Sequence, residues 1–348
     1  MIGAGQIACE GHIPGYRANE DLVDVVAVVD PDSARRRLAA ERLPVAPSVS
    51  VATLAEALDS VAVDAVVIAS PPASHAAVIL DALSRGVAVV CEKPLCRSGE
   101  ELDVIRAAAA AGGGHVAVLH NYLYKPGWRT LFDLVESGRI GVPVMARFEE
   151  LSDNYWQAPQ TPWREDPANG GGPLRDQLYH AIYLAERVLG SRIVTVQATQ
   201  ASLVHRYPAG DAATLALRHE NGSLTQATTS WCYTGRRRGV MEAVGTDACI
   251  RYEYWERPGE LILEQGSAVE PIVVEGADSL TEWGYPAAFR DTFGRLLAGR
   301  QPACGIDDAA RVVAVMEQAG TAVLPMRSRR FSGRARQVTR QVLDRLGR

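Results

Sequence analysis

Three short groups of residues combine types and spacings that could do chemistry. The first, Gly3-Ala4-Gly5-Gln6-Ile7-Ala8, is a G-x-G-x-x-A turn. Glycines at positions 3 and 5 let the backbone turn tightly and approach a pyrophosphate, whose charge is favoured at the N-terminus of the following helix, and Gln6 and Ile7 belong to the same cradle. Asp30 lies 22 residues beyond Ala8 (30 minus 8), at the end of a β-branched run. A dinucleotide fold places there the carboxylate that binds the adenosine ribose hydroxyls. Such a group repels a 2'-phosphate and favours NAD, whereas Arg35, Arg36 and Arg37 would accept NADP. Asp30 is also consistent with a turn, Asp30-Pro31-Asp32, that caps the next helix.

The second group is Cys91-Glu92-Lys93-Pro94, directly after an apolar run at 87–90. Ligands of open α/β sheets bind beyond the carboxyl ends of the strands, so Glu92 and Lys93 would face the reacting end of a nucleotide cleft. Lys93 and Lys125 are the only lysines in the chain. An ammonium there can hydrogen-bond a reacting hydroxyl and stabilise developing oxyanion charge; alternatively it is a surface lysine in a strand–helix loop. The third group runs from Gly170-Gly171-Gly172-Pro173 to Asp176 and His180. Four residues apart on one helix, Asp176 and His180 project from one face. The helix dipole favours the Asp176 carboxylate, and a histidine can take a proton from an alcohol. As a metal site the pair is incomplete, and no metal is expected. A capping Asp176 and a satisfied core histidine are the structural alternative.

These residues need elements to position them. Up to residue 120, β-branched runs at 25–29, 65–69, 87–91 and 116–119 alternate with helical stretches near 32–43, 73–85 and 98–111. Continuous apolar strands separated by helices specify a parallel sheet covered on both faces, a doubly wound α/β domain. Beyond 143 the texture becomes alternating strands at 144–149, 194–201, 214–218 and 224–229, an antiparallel sheet, with Asn221-Gly222 as a hairpin turn in which both residues tolerate positive φ. A helix over 174–189 follows the glycines and carries Asp176 and His180. Residues 1–120 are thus expected to form a dinucleotide-binding domain, and 121–348 a substrate-binding and oligomerisation domain. Only Met1 and Ile2 precede the glycine turn, too few for a central strand of ~5–6 residues. A stub would leave its neighbours unpaired, so the natural product is expected to begin upstream of Met1.

At 348 residues the chain suits two domains. With 47% hydrophobic and 22% charged residues it contains no apolar run near the ~20 residues that cross a bilayer. It opens without a basic or apolar leader, so the expectation is a cytoplasmic protein without membrane contact. Six scattered cysteines form no C-x-x-C pair and are expected to be free, mostly buried thiols. The net charge of −5 is mild, and an arginine-rich stretch at 326–348 fits a solvated helix or subunit contact rather than nucleic acid.

The three groups, in this order, resemble the glucose-fructose oxidoreductase / inositol dehydrogenase / MocA (Gfo/Idh/MocA) family over nearly the whole chain. Ser70-Pro71-Pro72 with His75 stands where the family has T-P-N-x-x-H, followed by E-K-P and by G-G-G-x-L-x-D-x-x-x-H. The resemblance implies a Rossmann domain, an α+β domain with a large open antiparallel sheet, and an active site in the cleft between them. It makes His180 the proton acceptor in oxidation, Lys93 the group that orients the reacting oxygen, and Asp176 a holder of substrate hydroxyls. Where many members carry N-x-R-F-x-P, this chain has Asn121-Tyr122-Leu123-Tyr124-Lys125-Pro126, so Asn121, Tyr124 and Lys125 are candidate substrate contacts. Tyr155, Trp156, Trp163 and Arg164 form either an aromatic wall of the kind sugars stack on or interdomain packing. The expected activity is hydride transfer between NAD, or NADP, and a secondary alcohol or ketone of a sugar, cyclitol or related polyhydroxylated molecule. A homodimer or homotetramer through the sheet is expected. Alternatives are an NADPH-dependent keto-sugar reductase, possibly acting on sugar nucleotides, and a non-catalytic cofactor-sensing regulator.

Overall fold

The computed structural model describes residues 1–43, 45, 49–153, 162–277, 283–320 and 323–324. The first half is built on parallel strands β1 (Val28–Val29), β2 (Ser50–Val51), β3 (Ala65–Ile68), β4 (Ala88–Cys91) and β5 (Val116–Val118). Ile2 bridges β1 to β3, giving the order β2-β1-Ile2-β3-β4-β5. With Ile2 counted as the first strand, this is the doubly wound order that reverses between the first and fourth strands, opening a crevice at their carboxyl ends. The interior positions are β-branched because helices cover both faces: Ile68, Val89, Val90 and Cys91 are fully buried.

The stub at the start pairs more fully than the sequence suggests. Ile2 donates to the Val67 carbonyl at 2.8 Å, Gly3 to Val29 at 2.7 Å, and Val29 and Ala69 donate back to Met1 and Ile2 at 2.9 and 2.7 Å. The expectation of unpaired neighbours at Met1–Gly3 is therefore corrected. The expected strand at 25–29 narrows to β1. Helix α1 (Ile13–Arg17) continues a π-helical turn, Ala8–His12, and α2 (Ser33–Arg42) is capped by Asp32, whose carboxylate accepts from the Ala34 and Arg35 amides. The helix α3 (Leu54–Ser60) opens with a Thr53/Glu56 capping box. Next come α4 (His75–Ser84) and α5 (Gly99–Gly112), the latter stopped by Gly113 in the left-handed region.

In the second half, α6 (Pro126–Glu136) leads to strands β6 (Pro143–Leu151), β7 (Ile193–Ala201), β8 (Ala212–His219), β9 (Leu224–Ser230), β10 (Arg238–Gly245), β11 (Cys249–Tyr252), β12 (Glu260–Gln265) and β13 (Ala268–Val273). With β14 (Val323–Leu324) they form one sheet, ordered β13-β12-β11-β10-β6-β9-β8-β7-β14. It is mostly antiparallel, as expected, but β6 pairs parallel with β9, and β14 with β7. The reason is connectivity: between β6 and β9 the chain passes through helix α7 (Tyr179–Leu189), a crossover that permits parallel pairing. In the β8–β9 hairpin only Gly222 has positive φ. Asn221 instead turns its side-chain oxygen to the Ser223 amide at 3.0 Å, a local side-chain turn.

Helix α7 lies on the sheet with Ile182, Leu184 and Ala185 buried against Leu215, Ala227 and Ala243. Two later helices return to the first half. In α8 (Tyr285–Leu297), Tyr285 and Phe289 pack with Ala4, Ile13 and Tyr16, and in α9 (Ile306–Ala319), Ala309 and Val313 pack with Val116 and Val118.

Candidate active site

The carboxyl ends of β3 and β4 carry the Ser70-Pro71 loop and the E-K-P segment, beside the glycine turn that follows Ile2. Gly3 stands at φ 87°, and a Cβ there would meet the Ser70 amide nitrogen at 2.6 Å, so the turn and the Ser70-Pro71 loop are pressed together. A Cβ on Gly5 would meet nothing within 4 Å, which leaves that side of the turn open. His75 is fully buried and places Nδ1 2.8 Å from the Pro94 carbonyl and Nε2 2.8 Å from the Ser70 carbonyl. It ties the loop after β3 to the E-K-P segment after β4, and burial holds its pKa below the usual histidine range.

Glu92 is the hub of this end. Its carboxylate is 2.8 Å from His12 Nε2, accepts from the Tyr285 hydroxyl at 2.6 Å, and receives the Lys93 amide at 3.1 Å. Burial alone would raise its pKa, but His12, Tyr285 and Lys93 outweigh burial and hold it below the ordinary value. Glu92 thereby fastens the helix after the glycine turn, the end of β4 and α8 to one point.

The next residue turns into the cleft. Lys93 Nζ donates to the Asp176 carboxylate at 2.8 Å and to the Asp176 carbonyl at 2.7 Å, joining groups 83 residues apart. The other Asp176 oxygen accepts from Arg164 Nε at 2.9 Å. Burial opposes ionisation of Asp176, yet the two cations hold its pKa far below the carboxylate range. His180, 5% exposed, is stacked under Tyr122 with ring centroids 4.0 Å apart, and its Nδ1 lies 2.6 Å from the Tyr183 hydroxyl. Burial first, then the charge of Lys93, drives its pKa well below the usual value, so the ring is neutral and ready to accept a proton.

The remaining candidates are placed as follows. Asp30 accepts from the Ala4 amide at 2.8 Å and from the Asp32 amide at 2.8 Å, so it braces the glycine turn while Asp32 caps α2. Buried Lys125 sets its ammonium 4.3 Å from the Tyr122 ring centroid and acts electrostatically on His180. Asn121 donates to the Trp283 carbonyl at 2.9 Å, and Tyr124 donates to Asp291 on α8 at 2.7 Å; both tie elements together, and neither bonds Lys93, Asp176 or His180. The Arg164 guanidinium lies over the Trp163 ring at 4.6 Å while its Nε reaches Asp176. Tyr155 and Trp156 fall outside the described residues, as does 326–348.

Residues that sequence reasoning missed are His12, Tyr285, Tyr122, Tyr183 and a buried cluster on the sheet. In that cluster Glu150 accepts from Arg237 at 3.0 Å and from Tyr254 at 3.2 Å. Tyr183 had a readable signal, three residues after His180 on one helix face, and Tyr122 lies within the Asn121–Pro126 segment; the others come from elements distant in sequence from their partners.

Known proteins resemble the chain in sequence and in fold. Residues 1–120 match the model described as "Oxidoreductase family, NAD-binding Rossmann fold", and residues 128–251 match the GFO/IDH/MocA C-terminal domain. Inositol 2-dehydrogenase of Corynebacterium glutamicum (strain R) is 29% identical over 202 residues, 57% of this chain and 55% of its own length. Inositol 2-dehydrogenase 3 of Saccharopolyspora erythraea is 37% identical over 150 residues, 42% of each chain. The chain thus aligns with about half the length of these curated relatives. A solved levoglucosan dehydrogenase, in complex with NADH and levoglucosan, superimposes with a TM-score of 0.78 at 22% identity, covering 91% of this chain and 95% of that one. Both halves, matched in order by models of one family and folded alike, place the chain in the Gfo/Idh/MocA family of oxidoreductases.

Proposed function

We propose that this protein is an NAD-dependent dehydrogenase that oxidises a secondary alcohol of a sugar, cyclitol or similar polyol. The observation that carries the reading is the Lys93–Asp176–Arg164 chain of ion pairs beside a neutral, buried His180, at the carboxyl end of β4. The residues present fit the cofactor: the open side of Gly5 gives the pyrophosphate access to backbone amides, and Asp30 stands at the carboxyl end of β1. Gln6, Ile7, Ser70 and Pro71 would line the same cleft, with buried His75 and Glu92 holding its loops in place. Bound there, nicotinamide supplies the hydride acceptor.

The chain's own residues supply the rest. Asp176 uses both oxygens on cations, which fixes the Lys93 ammonium in direction. Lys93 then donates to the substrate oxygen and stabilises negative charge as it develops. His180 takes the hydroxyl proton, its low pKa keeping the lone pair free at neutral pH. Arg164 and Trp163 offer donors and a ring to a polyhydroxylated ligand, while the buried Lys125–Tyr122 pair backs His180 from behind. A second copy packed on the sheet face where alternate residues of β8 are exposed among the described residues would give the expected homodimer or homotetramer, which light scattering reads as a multiple of 37.5 kDa.

The test is a panel of polyols, cyclitols and sugars with NAD and with NADP, and of keto-sugars with NADH and with NADPH, followed by absorbance of the reduced nicotinamide. Turnover of at least one polyol with NAD supports the reading. Turnover confined to keto-sugars with NADPH replaces it with the reductase, and tight cofactor binding without turnover replaces it with a regulator.

A further inference from the structure

Oxidising an alcohol releases a proton into a site with little room for charge. His180 is 5% exposed, and the charges acting on it include the cations Lys93 and Lys125 as well as the Asp176 carboxylate, with His120 also facing it. An imidazolium left there while product is bound is costly. One turn along α7 from His180, the Tyr183 hydroxyl lies 2.6 Å from its Nδ1. The Tyr183 ring stacks on His120 with centroids 4.2 Å apart and planes within 8°.

Tyr183 also lines a cavity of about 900 Å³, whose walls include His120, Glu186, Cys304, Asp308 and Arg311. Lys93, Asp176 and His180 do not line it, whereas the exposed Arg187, Arg192 and Glu220 at its rim open it to solvent. Arg311 is paired with Glu186 at 3.1 Å and also with Asp308, so acidic and basic groups already face one another on this wall. Burial pushes the His120 pKa down to about 3, which keeps the ring stacked on Tyr183 uncharged.

We propose that Tyr183 is a proton relay, carrying the proton of the oxidised alcohol from His180 into this second cavity, by a route separate from the substrate cleft. The relay rests on the dehydrogenase reading. The substrate O–H bond breaks as its proton passes to His180 Nε2. The Nδ1 proton moves to the Tyr183 oxygen, and the hydroxyl proton leaves to cavity water. The two electrons of the C–H bond go with the hydride to NAD, so the alcohol is oxidised, NAD is reduced, and one proton exits. The ring ends neutral in its other tautomer, and the tautomers re-equilibrate through water once product has left.

The test uses Tyr183→Phe, which keeps the ring on His120, in the whole enzyme with NAD and a polyol that the wild type turns over. The relay predicts that kcat falls roughly 10- to 100-fold, at or below the lower limit of the ~10²–10⁴-fold range for a group that exchanges a proton with substrate directly. KM should change less than about twofold, because uniform substrate binding is untouched. Added imidazole should restore kcat in proportion to its concentration. A kcat that is unchanged, or one that falls without imidazole rescue, overturns the relay. In cofactor-free protein, ¹⁵N NMR of His180 should show the Nδ1 signal displaced by the substitution; an unmoved signal also overturns it. If Tyr183→Phe lowers the melting temperature, 3,5-difluorotyrosine at 183 keeps the shape and changes only the proton affinity. A relay then moves the pH profile of kcat, and an unmoved profile counts against it. A wild type that turns over no polyol removes the dehydrogenase reading itself, and the relay with it.

Discussion

At the scale of single residues, the site separates groups that hold from groups that react. Asp176 is fully engaged by Lys93 and Arg164, and Glu92 by His12 and Tyr285, so both carboxylates act by fixing others. Lys93→Ala and His180→Ala are each expected to lower kcat by ~10²–10⁴-fold while leaving NAD affinity nearly unchanged, since neither side chain contacts the glycine turn. Steady-state rates and fluorescence titration with NADH check this, and near-normal kcat in either variant would remove that residue from the mechanism. Asp30 makes a different prediction. Its carboxylate already braces the turn through Ala4, and a 2'-phosphate would have to sit beside it. Asp30→Ser should narrow or reverse a preference for NAD over NADP, measured as the ratio of kcat/KM values. A wild-type preference for NADP would show that Arg35–Arg37 outweigh Asp30. Such roles were legible where the residues lie close in sequence: G-x-G-x-x-A, E-K-P and D-x-x-x-H each sit on one turn or helix. The partners that orient them were not, because His12 and Tyr285 meet Glu92 from 80 and 193 residues away.

Among the elements, helix α8 links chemistry to stability. Its Phe289 is fully buried, stacked on Tyr16 with centroids 4.9 Å apart and edge-on to His12 at 5.2 Å, while Tyr285 one turn earlier bonds Glu92. Gly15 faces the Phe289 ring so closely that a Cβ would lie 2.8 Å from it, a fit that leaves no slack. Phe289→Ala should therefore cost ~3–5 kcal/mol of unfolding free energy, the range for a deleted core aromatic. Urea denaturation measures it, and a loss below ~1 kcal/mol would show that α8 is not structurally coupled to the helix after the glycine turn. The sequence shows why α8 escaped notice. Its pattern, YPAAFRDTFGRLL, mixes aromatics with two arginines and a glycine, and only docking on distant Ala4, Ile13 and Tyr16 makes its apolar side a core side. Strand β13 was missed because it is mostly exposed and half-buried alternation is absent, whereas β11 and β12 alternate over only four and six residues. By contrast β3, β4 and the helix carrying Asp176 and His180 were legible, being continuous apolar runs or strongly periodic. The parallel pairing of β6 with β9 could not be read from either strand, since register and direction are set by the α7 crossover.

On the scale of the whole molecule, burial of histidines makes stability depend on pH in a predictable direction. His75, His120 and His180 are all buried, and burial is the first cause holding each below the ordinary value of 6.5. The facing charges do not reverse this: Glu92 and Glu101 act on His75, Asp308, Arg311 and Glu92 on His120, and Lys93, Asp176, His120 and Lys125 on His180. In the unfolded chain each ring titrates near 6.5, while in the folded chain it stays neutral to lower pH. The unfolded state thus binds more protons below that point, and the stability present above it is lost as pH falls. The slope is about 1.4 kcal/mol per pH unit for each histidine, or about 4 kcal/mol per unit for three acting together. Asp176 and Glu92, also held low, lose stability with the same sign, but only near and below their ordinary values of 3.8 and 4.5, so the first loss belongs to the histidines. Urea unfolding at about pH 7.5, 6.5 and 5.5 should show a loss of about 1 kcal/mol over the first step and about 3 kcal/mol over the second. Equal stability at all three would mean that the rings take up protons in the folded state, and with that the neutral His180 on which proton acceptance depends would be lost.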